Sequence, residues 1–128
     1  MLGKVVLWIS AFSFISYGVT CFFSPDVPAA YAGLTITNGD AFAELGAMYG
    51  GLQAGVGLFC LLAALRDEYY RPALLLLVMA IGLLALGRLY STLTGTEAVG
   101  FYTYGALGYE TVTAILAAIA FKLSAKPA

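Results

Sequence analysis

Apolar residues run along this chain in four long stretches, each broken from the next by a short polar interruption. The stretches cover about residues 4–23, 41–65, 73–94 and 101–121. An α-helix needs roughly 20 mainly apolar residues to cross a hydrocarbon core of about 30 Å, so each stretch is long enough to span a bilayer once. Two of the three interruptions are too short for anything but a turn between antiparallel neighbours. The pattern predicts an all-α integral membrane protein, a four-transmembrane-helix antiparallel bundle forming one membrane domain over residues 1–128.

The interruptions carry their own signals. Span one stops at Ser24-Pro25-Asp26-Val27-Pro28, because proline cannot continue a helix interior. Between spans one and two, Ser24-Pro25 followed by Ala29-Ala30-Tyr31-Ala32-Gly33 reads as a cap, a first-turn proline, a short surface helix and a glycine stop. Asn38 or Asp40 then caps span two. Arg66-Asp67-Glu68-Tyr69-Tyr70-Arg71-Pro72 reads as a charged turn flanked by tyrosines, the signature of a hairpin emerging at a headgroup belt. Tyrosines 69, 70, 90, 102, 104 and 109 fit such a belt better than a cofactor box. Lys4, the first apolar run and Ala30-Tyr31-Ala32 imitate a secretory signal and its cleavage site, but the run exceeds a signal core of about 7–15 residues, so it is read as a retained span.

Composition agrees. Hydrophobic residues make up 62% of the 128 and charged residues 10%, and mean hydropathy is +0.93, more apolar surface than a soluble fold uses. Charge placement adds an orientation. Lys4, Arg66, Arg71, Lys122 and Lys126 fall on one side of a four-span bundle, and the opposite loops carry Asp26, Asp40 and Glu97. This positive-inside bias puts both termini and the middle turn in the cytoplasm. A net charge of -1 with no basic run excludes nucleic acid as a partner.

Candidate chemistry is sparse. There is no His, and Cys21 and Cys60 are the only cysteines, which leaves no metal-ligand set and no expected metal. The two thiols fall near opposite ends of adjacent spans, beyond the Cα separation of about 4.4–6.8 Å that a disulfide needs, so both are expected free. No nucleophile–base arrangement or phosphate-cradling loop occurs, and no catalytic residue is assigned.

Three ionisable residues remain inside the spans: Glu44, Arg88 and Glu110. A bare charge in lipid is costly, so the three are expected to face inward as one cluster. At about 1.5 Å per residue, Arg88 lies roughly 9 Å below the outer end of span three, Glu110 about 10–14 Å below that of span four, and Glu44 about 3–5 Å down span two. Arg88 reaches Glu110 directly and Glu44 by snorkelling. Such a cluster either fixes helix register as a structural ion pair or forms the polar floor of a ligand or proton pathway. Ser91, Thr92 and Thr113 lie within a turn of it. Gln53 stands about 900° around the helix from Glu44, nearly opposite, and is expected to bond another neighbour. Small residues spaced by four, Gly46/Gly50 and Gly51/Gly55, are expected to bring helices close within the bundle.

The string Glu-Leu-Gly-Ala-Met-Tyr-Gly-Gly-Leu-Gln-Ala-Gly-Val-Gly from Glu44 to Gly57, with Gly87-Arg88 in span three and Tyr109-Glu110 in span four, resembles a bacterial family of small four-span membrane proteins known as domain of unknown function 4345. The resemblance covers nearly the whole chain. It implies four helices and the importance of Glu44, Tyr49, Gly50, Gly51, Gln53, Arg88 and Glu110, and it supplies no activity. More distantly the chain is similar to the DoxX-like group of four-helix membrane proteins, some of which accompany quinone-linked redox enzymes. The expected role is a non-catalytic accessory subunit of a larger membrane complex, or a binder of a lipid-like molecule such as a quinone, with membrane lipids or a second copy as further partners. The alternative is a small oligomeric, proton-coupled carrier using Glu44, Arg88 and Glu110. A membrane-lipid enzyme working through the same carboxylates lacks a nucleophile to make it concrete.

Overall fold

A computed structural model describes residues 1–125 and is helical throughout its four apolar stretches. Span one is Leu2–Phe23, span two Gly39–Leu65, span three Asp67–Thr94 and span four Phe101–Leu123. The chain is a multi-pass membrane protein whose antiparallel helices show large apolar residues outward, among them Ile9, Phe12, Leu83 and Ile115. A soluble protein would bury such side chains, whereas here lipid covers them.

Local signals explain most helix ends. The short helix between spans one and two is Asp26–Ala32, and it stops at Gly33, the one residue with a left-handed backbone among those described (φ 69°). Only a residue without Cβ adopts that conformation cheaply, and it lets the Leu34 amide bond back to the Ala29 carbonyl at 2.8 Å. The start of this helix differs from the expectation. Pro25 occupies the cap position and the Ser24 hydroxyl makes no capping bond; instead the Ser24 carbonyl accepts from the Val27 amide at 3.0 Å. Asn38 caps span two, its side chain accepting from the Ala41 amide at 2.9 Å.

Span three begins at Asp67 rather than Ala73. The charged segment is its first turns, so Arg66 alone separates it from span two. Pro72 is compatible because it sits in the opening turn of the α-helical stretch Tyr70–Leu76, where its missing N–H has no intrahelical partner to lose. Spans two and three each contain a π-helical turn, at Gly46–Gly51 and Leu77–Ile81. Each wider turn takes up an extra residue and so rotates everything beyond it relative to a uniform helix.

One end of the bundle carries Lys4, Arg66, Arg71 and Lys122, and is called the basic end here; the other carries Asp26, Asp40 and Glu97 and is the acidic end. Lys126 lies outside the described residues. The buried core fills the basic half: Leu7, Ala11, Cys60, Leu74, Leu77 and Ala117 pack there from all four spans. Cross-span polar contacts close that end. The Lys4 ammonium lies 2.6 Å from Asp67 and donates to the Ala63 and Ala64 carbonyls at 3.4 and 3.0 Å, which span two's own helix leaves unpaired. Arg71 does the same for span four, donating to the Phe121 carbonyl at 3.1 Å and the Ser124 hydroxyl at 2.9 Å, with its guanidinium 4.1 Å from the Phe121 ring centre. The tyrosines are partly structural rather than a simple belt. Tyr70 crowds Gly3, Tyr69 meets Phe59, and Tyr109 meets Phe14, while Tyr90 and Tyr104 are exposed.

Spans one and two pack most closely, through glycine. A Cβ on Gly50 would come within 2.5 Å of the Phe22 backbone, one on Gly57 within 2.6 Å of the Ile15 amide nitrogen, and Gly18 faces Ala54 as tightly. The two sequence spacings therefore separate. Gly46 and Gly50 meet span one's end of the chain, at Pro25 and Phe22, whereas Gly55 has open space where a side chain would stand. The seam follows Gly50, Ala54 and Gly57 because one face of a helix recurs every three or four residues.

Candidate functional site

In the acidic half the packing divides. Span two leans on span one and span three on span four, while spans two and three pack on each other through their basic-end segments. The divergence leaves a cleft of about 490 Å³. Tyr49 of span two forms one wall. Span three forms the other with Leu83, Leu84, Gly87, Arg88 and Ser91, and Val99 and Thr103 close the acidic end.

Arg88 and Glu110 form the polar element of the site. The Arg88 Nε donates to Glu110 Oε2 at 2.9 Å and Nη2 donates to Oε1 at 2.7 Å, a two-pronged pair between planar groups. The carboxylate side chain is 8% exposed and the guanidinium 24%, so the acid is behind and the base faces the cleft. A buried carboxylate and a matching fork satisfy each other where each alone would be costly in lipid. The Thr92 hydroxyl donates to the Arg88 carbonyl at 2.8 Å and is thereby committed to its own helix. Thr113 is buried one turn from Glu110. Near the acidic end the Tyr17 and Tyr102 hydroxyls stand 3.4 Å apart, and Tyr31 of the short helix stacks on Tyr102 with ring centres 6.2 Å apart, linking spans one and four to the segment above them.

The structure brings Arg88, Glu110, Tyr49 and Ser91 together and leaves Glu44 apart. Glu44 is exposed, has no ion-pair partner among the described residues, and does not line the cleft. The reason is rotational: Gly46 faces Pro25 just beyond span one, and two residues correspond to about 200° of helix, which turns Glu44 away from that neighbour. Gln53 is half-buried and makes no side-chain hydrogen bond among the described residues, contrary to the expectation of a separate partner. Gly50 and Gly51 belong to the seam with span one, Gly51 reaching the Phe22 ring only at 4.0 Å. The sequence alone does not mark Gly87, Val99 and Thr103 as lining. Gly87-Arg88 is the one signal that could have found the first, because a glycine beside a buried charge leaves room in the wall.

Four apolar helices enclosing a paired arginine and glutamate define a small four-span membrane protein. A family model described as a domain of unknown function, DUF4345, matches residues 2–121. The chain belongs to that family, which includes every residue of the cleft. No curated protein and no solved structure matches it.

Proposed function

We propose that this chain is a non-catalytic binding protein of the bacterial inner membrane that holds a lipid-like molecule in the cleft between spans two and three. The observation that carries the reading is the Arg88–Glu110 pair, set in the wall of a cleft about 490 Å³ in volume whose remaining lining mixes leucine and valine with hydroxyl-bearing side chains. A pair serving register alone has no need to present its guanidinium to open space, and an amphiphile needs both a polar anchor and apolar walls. The cytoplasmic placement of both termini rests on the cations gathered at the basic end. The cleft then opens in the outer half of the membrane.

Native mass spectrometry of the protein purified alone in mild detergent tests the reading. One retained lipid-mass adduct per chain is expected. A bare chain that is stable only with a co-purifying protein in fixed stoichiometry would instead make it an accessory subunit. Alkaline phosphatase fused at the C-terminus is expected to be inactive, and activity there would invert the topology. The proton-coupled carrier has less support, because Glu44 stands apart from the pair and leaves no second carboxylate beside Glu110 among the described residues. Equal, background-level proton flux from wild type and Glu110→Gln in liposomes is the expected result.

A further inference from the structure

The donors and acceptors facing the cleft are unequal, and their inequality selects a ligand. Both Glu110 oxygens are taken by Arg88 Nε and Nη2. Arg88 Nη1, which can only donate, has no partner among the described residues. The hydroxyls of Tyr49, Ser91 and Thr103 line the same space, are likewise unengaged, and turn freely to donate. No carboxylate or side-chain amide lines the cleft. A headgroup that must donate, such as an ammonium, finds no charged acceptor there, whereas one that accepts finds up to four donors.

Charge narrows the class further. The Arg88–Glu110 pair sums to zero, and the other charged side chains of the acidic half are the carboxylates Asp26, Asp40, Glu44 and Glu97. An anionic phosphate would enter with no countercharge and into a half of the bundle whose remaining charges are acidic. Leu83, Leu84 and Val99 supply the apolar part of the lining. Resting on the binding reading above, we infer that the cleft takes an uncharged amphiphile whose headgroup presents carbonyl oxygens, the chemistry shared by acylglycerol esters and long-tailed quinones. Arg88 Nη1 and the neighbouring hydroxyls bond the carbonyl oxygens, and the tail lies along the leucines.

Gly87 provides the test. It lines the cleft beside Arg88, and a Cβ placed on it meets nothing within 4 Å, so a larger residue there fills the cleft without pressing on the fold. The full chain is reconstituted in phosphatidylcholine vesicles containing a minor fraction of dioleoylglycerol, a long-tailed ubiquinone or phosphatidylglycerol, extracted mildly, and weighed by native mass spectrometry. Preferential retention of dioleoylglycerol, of the quinone, or of both supports the inference and tells the two sources apart. Gly87→Leu is expected to reduce that retention at least ~10-fold with helicity unchanged. Ser91→Leu, at an exposed position on the same wall, is the second variant should Gly87→Leu lose helicity. Preferential retention of phosphatidylglycerol overturns the inference while leaving the binding reading intact. Retention of no amphiphile overturns both, and retention untouched by either leucine variant overturns the placement in this cleft.

Discussion

The two halves of this bundle are built on opposite plans. In the basic half all four spans contribute to one buried core, and Lys4 and Arg71 tie helix ends across the bundle. In the acidic half spans two and three part, and the Arg88–Glu110 pair, joining span three to span four, presents its guanidinium to the gap. Lipid offers no hydrophobic drive to bring helices together, so contact in a membrane comes from close packing and from polar bonds. Where small residues and cross-span bonds are provided, the spans close; where they are withheld, a cleft remains. The basic half thus acts as a clamp that holds the acidic half open at a fixed angle.

The largest expected effect comes from breaking the ion pair of the acidic half. Arg88→Ala strands a nearly buried carboxylate and is expected to cost up to about 3–5 kcal/mol, less whatever protonation of Glu110 recovers. Unfolding in mixed micelles measures it, and adding Glu110→Ala is expected to restore much of the loss. Simple addition of the two single losses would show that the residues are not coupled. Next in size is the glycine seam. Gly57→Val is expected to cost about 1–3 kcal/mol by pressing on the Ile15 backbone, whereas Gly55→Val, two residues away, should stay within about 0.5 kcal/mol. Equal losses would mean that span two is rotated from the position described.

Smaller effects sharpen the contrast at the basic end. Asp67→Asn removes the charge opposite Lys4, but the aspartate is 91% exposed and Lys4 keeps its two carbonyl partners, so a loss of no more than about 0.5 kcal/mol is expected in the same assay. Lys4→Met removes all three bonds and should cost more than Asp67→Asn; the reverse order would show that the ion pair, not the helix-end contacts, holds this corner. The least perturbing test uses the native thiols. Cys21 and Cys60 are both fully buried and free, one in each half, and neither is expected to be alkylated before denaturation. Selective labelling of Cys21 in folded protein would show that the acidic half opens beyond its described shape.

Features set by nearby residues were legible in the sequence. Span count follows from apolar length, the Gly33 stop from the one backbone conformation that excludes a side chain, and the Asn38 cap from its position ahead of an apolar run. The pairing of Arg88 with Glu110 was legible too, because matched depth and opposite charge leave few other solutions in lipid. Rotation was harder to read. Glu44 and Gln53 were placed by assuming a uniform helix, and the π turn at Gly46–Gly51 adds a residue between them. The Lys4 and Arg71 contacts were hidden for another reason: their acceptors are backbone carbonyls of other spans, which every sequence has and no sequence marks. Thr103 and Val99 carry no mark in the sequence, because they share the cleft with Arg88 only through the fold.

The neutrality of the Arg88–Glu110 fork also governs how the cleft responds to the electric field across a membrane. Moving one elementary charge through that field changes its energy by about 2.3 kcal/mol per 100 mV, but a wall whose charges sum to zero couples to it only through its small dipole. The shape of this wall is therefore expected to be insensitive to the voltage across the membrane. Glu110→Gln would leave Arg88 uncompensated and convert an indifferent wall into one that the resting potential pulls toward the negative side.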